Sequence, residues 1–362
     1  MKENKVITDI EQLTPEWLTN IFKNKGYLSQ GKVTKIIKKK SQETITSFVY
    51  FLELNFSTDA QTEPPSRELV VKISKHNDEF KIYGRQEAKF YNIIAENMIE
   101  MPIPTCYDAV FSEETGLSHI ILENISKTHE TLLNFPFGPP PSKQHFEKAI
   151  DSLAEIHAFW WDHKNLKELS KQSRGPLSLF LTRVRKEALQ RFLEDVGDKM
   201  SDNRKSLLKK IFSLYPQAVD ERIAKKNLTI IHTDAHLGQF FYPKNNDNEK
   251  YKAILSDWQG WNIGVGGLDL AYMIGLFLSP ENRRLMEKKL IKRYHSHLIK
   301  LGIKNYNWDK CWYDYKLFTF LNIYHCIWWW NVGMVSSSFF WARLETSIAT
   351  IEDLNCMELL ES

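Results

Sequence analysis

Lys72 stands inside the apolar run Leu69-Val70-Val71-Lys72-Ile73. An ammonium there loses hydration and needs a carboxylate or phosphate partner. Alone, it reads as a strand lysine that snorkels to water. Glu87 follows near the start of the next helical pattern, and a lysine on a strand can pair with a glutamate on the following helix. A lone glutamate at that place is a solvated helix residue. The third feature is a pair of polar clusters, His232-Thr233-Asp234-Ala235-His236-Leu237-Gly238-Gln239 and Asp257-Trp258-Gln259, each after a short apolar run. Two carboxylates at the ends of neighbouring short strands can converge on one cation. Mg²⁺ takes oxygen ligands, usually one or two carboxylates plus substrate phosphates. An aspartate beside such an ion can instead orient a hydroxyl nucleophile and accept its proton. A rival chemistry is open in the same residues: His232, Asp234 and His236 alternate, and on a strand they would share one face and could bind Zn²⁺ as a metal-dependent hydrolase does. That reading leaves Lys72 and Glu87 unexplained.

The elements that must position these groups fall in a recognisable order. Thr14 caps and Pro15 opens a helix that Gly26 stops. Strand patterns follow at Val33–Ile37, Phe48–Phe56 and Leu69–Ile73, with the polar loop Ser57–Arg67 before the third. A helix fits Arg85–Asn97, and two strands fit Tyr107–Phe111 and His119–Leu122. Asn134–Ser142 is the densest cluster of helix and strand breakers. Beyond it the chain is mostly helical, beginning with a periodic stretch from Phe146 to Trp160. Thr229-Ile230-Ile231 and Ala253-Ile254-Leu255 read as a small hairpin embedded among those helices. The Lys38-Lys39-Lys40 run is expected to be a solvated strand end.

Composition bounds the rest. The chain has 362 residues, 43% of them apolar and 13% aromatic, which excludes a mainly disordered chain and suits two domains or one two-lobed fold. Its 48 basic and 45 acidic residues leave a formal charge of +3, so no nucleic-acid partner is expected. Four scattered cysteines and an N-terminus without an apolar h-region suit a soluble cytoplasmic protein. Residues 317–342 are long and aromatic, but Asn322, His325, Asn331 and three serines interrupt them. A buried helical segment with a gap near Gly333 is expected there, not a membrane span.

Taken in order, these motifs resemble the aminoglycoside phosphotransferase and choline kinase superfamily, small-molecule relatives of protein kinases. HTDAHLGQ corresponds to the pattern H-x-D-x-x-x-x-N, DWQ to D-[FWY]-[EQ], and Asp269-Leu270-Ala271 to D-x-A. VVKIS resembles the strand bearing the ATP lysine, RQEAKFY the helix bearing its glutamate, IILENIS the hinge strand, and LAEIHAFWW a helix of the same family. DWQ and LTPEWL are most similar to the ecdysteroid-kinase-like branch.

The resemblance implies an α+β, bilobal protein-kinase-like fold. Residues 1–125 would form a small mixed β-sheet N-lobe that binds nucleotide. Residues 126–362 would form a larger, mainly helical C-lobe with the catalytic loop, metal site and acceptor pocket. It implies a kinase that uses ATP and Mg²⁺ to phosphorylate a hydroxyl of a small molecule. Lys72 would hold the ATP phosphates, oriented by Glu87. Glu123, Asn124 and Ile125 would meet the adenine, Asp234 would act as base, and Gln239 and Asp257 would hold Mg²⁺. His232 would brace the catalytic loop and Asp269 anchor it. Three departures stand out: Gln239 replaces the usual Asn, Thr233 replaces a usual Gly, and the phosphate-covering segment Lys40–Ser47 has no glycine. Ser41, Thr44, Thr46 or Ser47 could supply hydroxyls there; Ser47 is taken as the candidate, and an inward Glu43 would repel phosphates. These departures support an alternative reading, a catalytically impaired kinase-like protein that binds nucleotide or ligand. Trp261 and Trp328–Trp330 are expected on the acceptor side, where a hydrophobic or amphipathic alcohol fits better than a polycationic sugar; an aromatic cage for a quaternary amine is the competing acceptor.

Overall fold

The structure is a computed structural model that describes residues 5–61, 66–76, 81–132, 134–244 and 252–361. The chain divides into two compact units, Met1–Thr131 with Phe241–Gly260, and Leu132–Phe240 with Trp261–Ser362. The sequence reading cuts the chain once, at 125/126, and so assigns 241–260 to the second part. Their contacts group them with the first.

The first unit is built on a five-stranded antiparallel sheet in the order β1-β2-β3-β5-β4: Val33–Glu43, Ser47–Phe56, Glu68–Ser74, Ser118–Glu123 and Cys106–Phe111 for β1, β2, β3, β5 and β4. β1 is twice as long as its apolar pattern suggests, because its outer half is a polar edge strand held by backbone pairing with β2 from Lys38↔Leu52 to Glu43↔Phe48. The three lysines lie exposed within that strand, not at its end. Helix α1, Pro15–Asn24, is capped by the Thr14 side chain, which accepts from Trp17 N. Its Leu18, Ile21 and Phe22 pack with Leu52, Leu54, Leu69, Val71 and Ile73 into one core. Helix α2, Lys81–Lys89, continues through a wider turn at Phe90–Ile94. A second, three-stranded sheet joins β6 (His129–Thr131), β8 (Phe240–Pro243) and β9 (Ile254–Leu255).

In the second unit, helix α3 (Lys143–Trp160) is closed at its start by Ser142 and His145, which exchange side-chain and backbone bonds. It packs on the helix Pro280–Lys300, while Trp308–Val332 packs on Ser337–Asp353. Gly333 ends Trp308–Val332 at φ 63, a left-handed cap that suits glycine. The expected gap falls there, and no described helix is long and apolar enough to cross a membrane. The strand β7 (Thr229–Ile231) pairs with β10 (Asn262–Gly264). The expected hairpin of 229–231 with 253–255 therefore does not form. Each run instead pairs with a strand that sequence periodicity leaves unmarked, β10 in one case and β8 in the other.

Candidate active site

In the first unit, strand alternation decides where Lys72 goes. Leu69, Val71 and Ile73 fill the core, so Val70, Lys72 and Ser74 face the opposite side. Val49 on β2 and Ile120 on β5 are the direct neighbours of Lys72, and Ser47 is opposite Ser74. Lys72 Nζ donates to both oxygens of buried Glu87, at 2.8 and 2.7 Å, and to Asp257 Oδ1 at 2.9 Å. Burial pulls this ammonium down, but Asp257 and Glu87 together hold it above its ordinary value. Three expected site residues thus meet in one ionic cluster, although the longest separation between them is 185 positions.

Asp257 adopts φ 65, a conformation that aspartate tolerates better than most residues. The segment around it is fixed by Trp258, whose ring lies flat on Phe90 with centroids 4.1 Å apart and whose Nε1 donates to Leu255 O. Gln259 Nε2 donates to Asp257 Oδ2 at 3.3 Å. Lys72 and Glu87 border a recess shared with Thr46, Ser47, Ser74 and Ser118. Of the hydroxyls expected to compensate for the glycine-free segment, that of Thr44 is used to close the turn by donating to Ser47 O and accepting from Ser47 N. Thr46 and Ser47 reach the recess. Glu43 pairs with Lys75 at 2.6 Å.

Glu123, Asn124 and Ile125 lie at the end of β5 and just beyond it. Asn124 N donates to Glu68 O, and Ile125 O accepts from Thr128 N and His129 N. Those two backbone groups are committed within the unit, which narrows the adenine contacts expected of this segment to the others.

In the second unit, Asp269 is fully buried and accepts the backbone N–H groups of His232 and Thr233, at 2.7 and 2.8 Å. His157 Nε2 lies 3.3 Å from the same carboxylate, and His157 Nδ1 meets the Tyr294 hydroxyl at 2.8 Å. Gly266 allows this packing: a Cβ there would stand 2.2 Å from the Tyr294 oxygen. His232 is enclosed, and its Nδ1 accepts Asp234 N at 3.3 Å. Thr233 turns the chain at φ 69, where the usual glycine would carry no strain. Residues 232–236 are therefore a loop and not a strand, and His232, Asp234 and His236 do not share a strand face. Among the described residues, no three His, Cys, Asp or Glu side chains group as a metal site.

Asp234 receives Gln239 Nε2 on Oδ2 at 2.8 Å and the Tyr272 hydroxyl on Oδ1 at 2.7 Å. Tyr272 is a site residue that the sequence reading missed. The available signal was its position three residues after Asp269, on the same helical stretch. Burial first, and the Asp234 charge second, push its phenol well above the ordinary value, so it remains a donor. Around it rings gather: Tyr272 meets Phe277 and His325, His236 meets Phe135 and Phe277, and His325 meets Phe180 and Trp329. Burial lowers His325 to about 4, so it is neutral at pH 7. Of the expected acceptor-side tryptophans, Trp328–Trp330 are half-buried and Trp328 and Trp329 touch this ring cluster, whereas Trp261 is wholly enclosed.

An N-terminal antiparallel sheet with a lysine–glutamate pair, followed by helices and an aspartate-bearing loop, makes up a protein-kinase-like fold. The chain belongs to the ecdysteroid kinase-like family, whose model matches residues 41–306. The fold is similar to that of choline kinase LicA from Streptococcus pneumoniae, at 14% identity and TM-score 0.52 over 89% of this chain and 94% of that one. It is also similar to aminoglycoside 2'-phosphotransferase-IIIa, solved as a GDP complex, at 11% identity and TM-score 0.53 over 96% and 100% of the two chains. A search of the curated proteins finds no match.

Proposed function

We propose that this protein is an ATP- and Mg²⁺-dependent phosphotransferase acting on a hydroxyl group of a small molecule. The observation that carries the reading is Lys72 held between Glu87 and Asp257. A buried cation with two carboxylates is costly to maintain as a scaffold feature, and it suits a group that binds nucleotide phosphates. Lys72 binds those phosphates with Glu87 orienting it, Ser47 contributes a hydroxyl beside them, and backbone groups of Glu123, Asn124 and Ile125 receive the adenine.

Asp234 accepts the acceptor's proton as the alcohol oxygen bonds to the γ-phosphorus. The bond to the ADP oxygen breaks, and ADP leaves with its electron pair. Tyr272 and Gln239 orient the Asp234 carboxylate, while His232 and Asp269 brace the loop. The donor chemistry fits Mg²⁺: Asp257 offers carboxylate oxygen and Gln239, whose amide nitrogen is engaged by Asp234, offers carbonyl oxygen. With no group of three His, Cys, Asp or Glu side chains among the described residues, the remaining ligands would fall to phosphate oxygens and water. When bound, the ion would neutralise charge on the transferred phosphoryl group.

The test incubates the protein with ATP, Mg²⁺ and a panel of hydroxyl compounds, beside Asp234→Ala. Transfer by the wild type and its loss in the variant are expected; transfer that survives the substitution removes the assigned base. The alternative, an impaired kinase-like binding protein, draws support from the self-bonded turn Thr44–Ser47. It predicts thermal stabilisation by nucleotide without turnover, and GTP run in parallel decides the nucleotide.

A further inference from the structure

Arg343, on the helix Ser337–Asp353, is a half-buried cation with no carboxylate partner among the described residues. Its Nη1 donates to Leu276 O and Phe277 O, its Nε is enclosed with no hydrogen-bond partner, and no described acidic group lies within salt-bridge reach. The guanidinium lies against two ring faces, 5.8 Å from the Phe277 centroid and 5.3 Å from that of Phe339. Phe277 also touches Tyr272 and His236, the first of which donates to Asp234. A chain of ring contacts thus runs from the assigned base to this cation. Burying an unpaired charge is unfavourable unless something completes it. Two backbone carbonyls at a helical end account for one of its three nitrogens.

Arg183 lies over the Trp328 ring at 4.6 Å and is paired with Glu187 at 3.1 Å, which leaves Arg343 as the cation here without such a pair among the described residues. An unpaired guanidinium beside the rings disfavours polycationic sugars and quaternary amines alike.

We propose that the acceptor is an amphipathic alcohol carrying an anionic oxygen group, its apolar body lying on the rings and its carboxylate or sulfate received by Arg343. This rests on the reading of the Asp234 surroundings as the acceptor side and names the substrate class of that site. With Nη1 spent on two carbonyls and Nε enclosed, Nη2 is the nitrogen left to give the anionic oxygen a charge-assisted bond.

The test is a binding measurement made without nucleotide, by calorimetry on the full chain. The probes are cholate and 12-hydroxystearate, the methyl ester of each, choline and kanamycin. At least one acid is expected to bind about tenfold or more tightly than its ester. Arg343→Gln should abolish that difference while leaving ester affinity and thermal midpoint near wild type, and Arg343→Lys should restore part of it. Equal affinity for acid and ester, no binding by either acid, tighter binding of choline or kanamycin, or an equal loss for acid and ester in Arg343→Gln each overturns the proposal. The last result would mark Arg343 as a helix cap alone. Because no turnover is read, a protein that failed to transfer phosphate would lose the kinase reading and still give a decision on Arg343.

Discussion

The Tyr272 hydroxyl stands 2.7 Å from Asp234 Oδ1, while Gln239 Nε2 occupies Oδ2 at 2.8 Å. A carboxylate held by one neutral donor on each oxygen keeps a fixed plane and retains lone pairs for a substrate hydroxyl. Tyr272→Phe removes one donor without changing the ring. Hydrogen bonds to charged groups contribute about 1.5–3 kcal/mol, which corresponds to a fall of roughly 10- to 100-fold in kcat. ATP affinity should stay unchanged, because the lost contact is on Asp234, the proposed base, and not on the proposed phosphate-binding Lys72. Steady-state kinetics beside a nucleotide titration checks both; a variant with wild-type kcat would show that Gln239 alone suffices.

Lys72→Met should damage both folding and nucleotide binding. It leaves Glu87, whose side chain is 5% exposed, and Asp257 facing each other without a cation. Breaking a buried pair from one side costs about 3 kcal/mol, and a urea midpoint should report a loss of that order. Nucleotide affinity should fall even where the variant is fully folded. Because its pKa is raised on folding, the Lys72 contribution is complete below the unfolded lysine value and disappears only as pH climbs through the higher folded one. Unfolding curves from pH 6 to 9 should therefore show no loss assignable to this group.

His325 gives the opposite dependence. Its folded pKa is lowered to about 4, chiefly by burial, against an unfolded value near 6.5. Between these values the unfolded chain binds the extra proton, so stability is present above about pH 6.5 and declines as pH falls toward 4. The contribution lost is on the order of 3 kcal/mol. His325→Phe should flatten this acid limb relative to wild type; unchanged acid sensitivity would show that His325 is readily protonated in place.

Thr233 occupies φ 69, where a β-branched residue is strained. Thr233→Gly removes that strain but adds flexibility to the unfolded chain, about 0.5–1 kcal/mol in the other direction. With left-handed strain worth about 1–2 kcal/mol, a net gain of about 0–1.5 kcal/mol is expected in equilibrium unfolding. A clear loss of stability would mean that the Thr233 side chain holds the loop together.

Local chemistry alone was enough to expect α1, the strands of the first sheet, the Lys72–Glu87 pair and the loop carrying Asp234. A period of two around Lys72, a cap at Thr14 and polar groups after short apolar runs are all properties of neighbouring residues. The partners of the short strands were not readable in this way. Thr229–Ile231 and Ile254–Leu255 have too few residues to specify a mate, so long-range backbone pairing decided between each other and Asn262–Gly264 or Phe240–Pro243. Tertiary packing also chose which polar groups meet Asp234: Tyr272 reaches it because Asp269, on the same helical stretch, is fastened to the backbone of His232 and Thr233. Arg343 reads from its own helix as an ordinary charged residue, and only tertiary packing sets it on the ring faces of Phe277 and Phe339 with its Nε enclosed and no carboxylate partner among the described residues. The sequence by itself determined which groups could do the chemistry, because residue type and spacing limit the possible reactions. The tertiary structure decided which of them touch, because such contacts depend on burial and pairing between segments far apart in the chain.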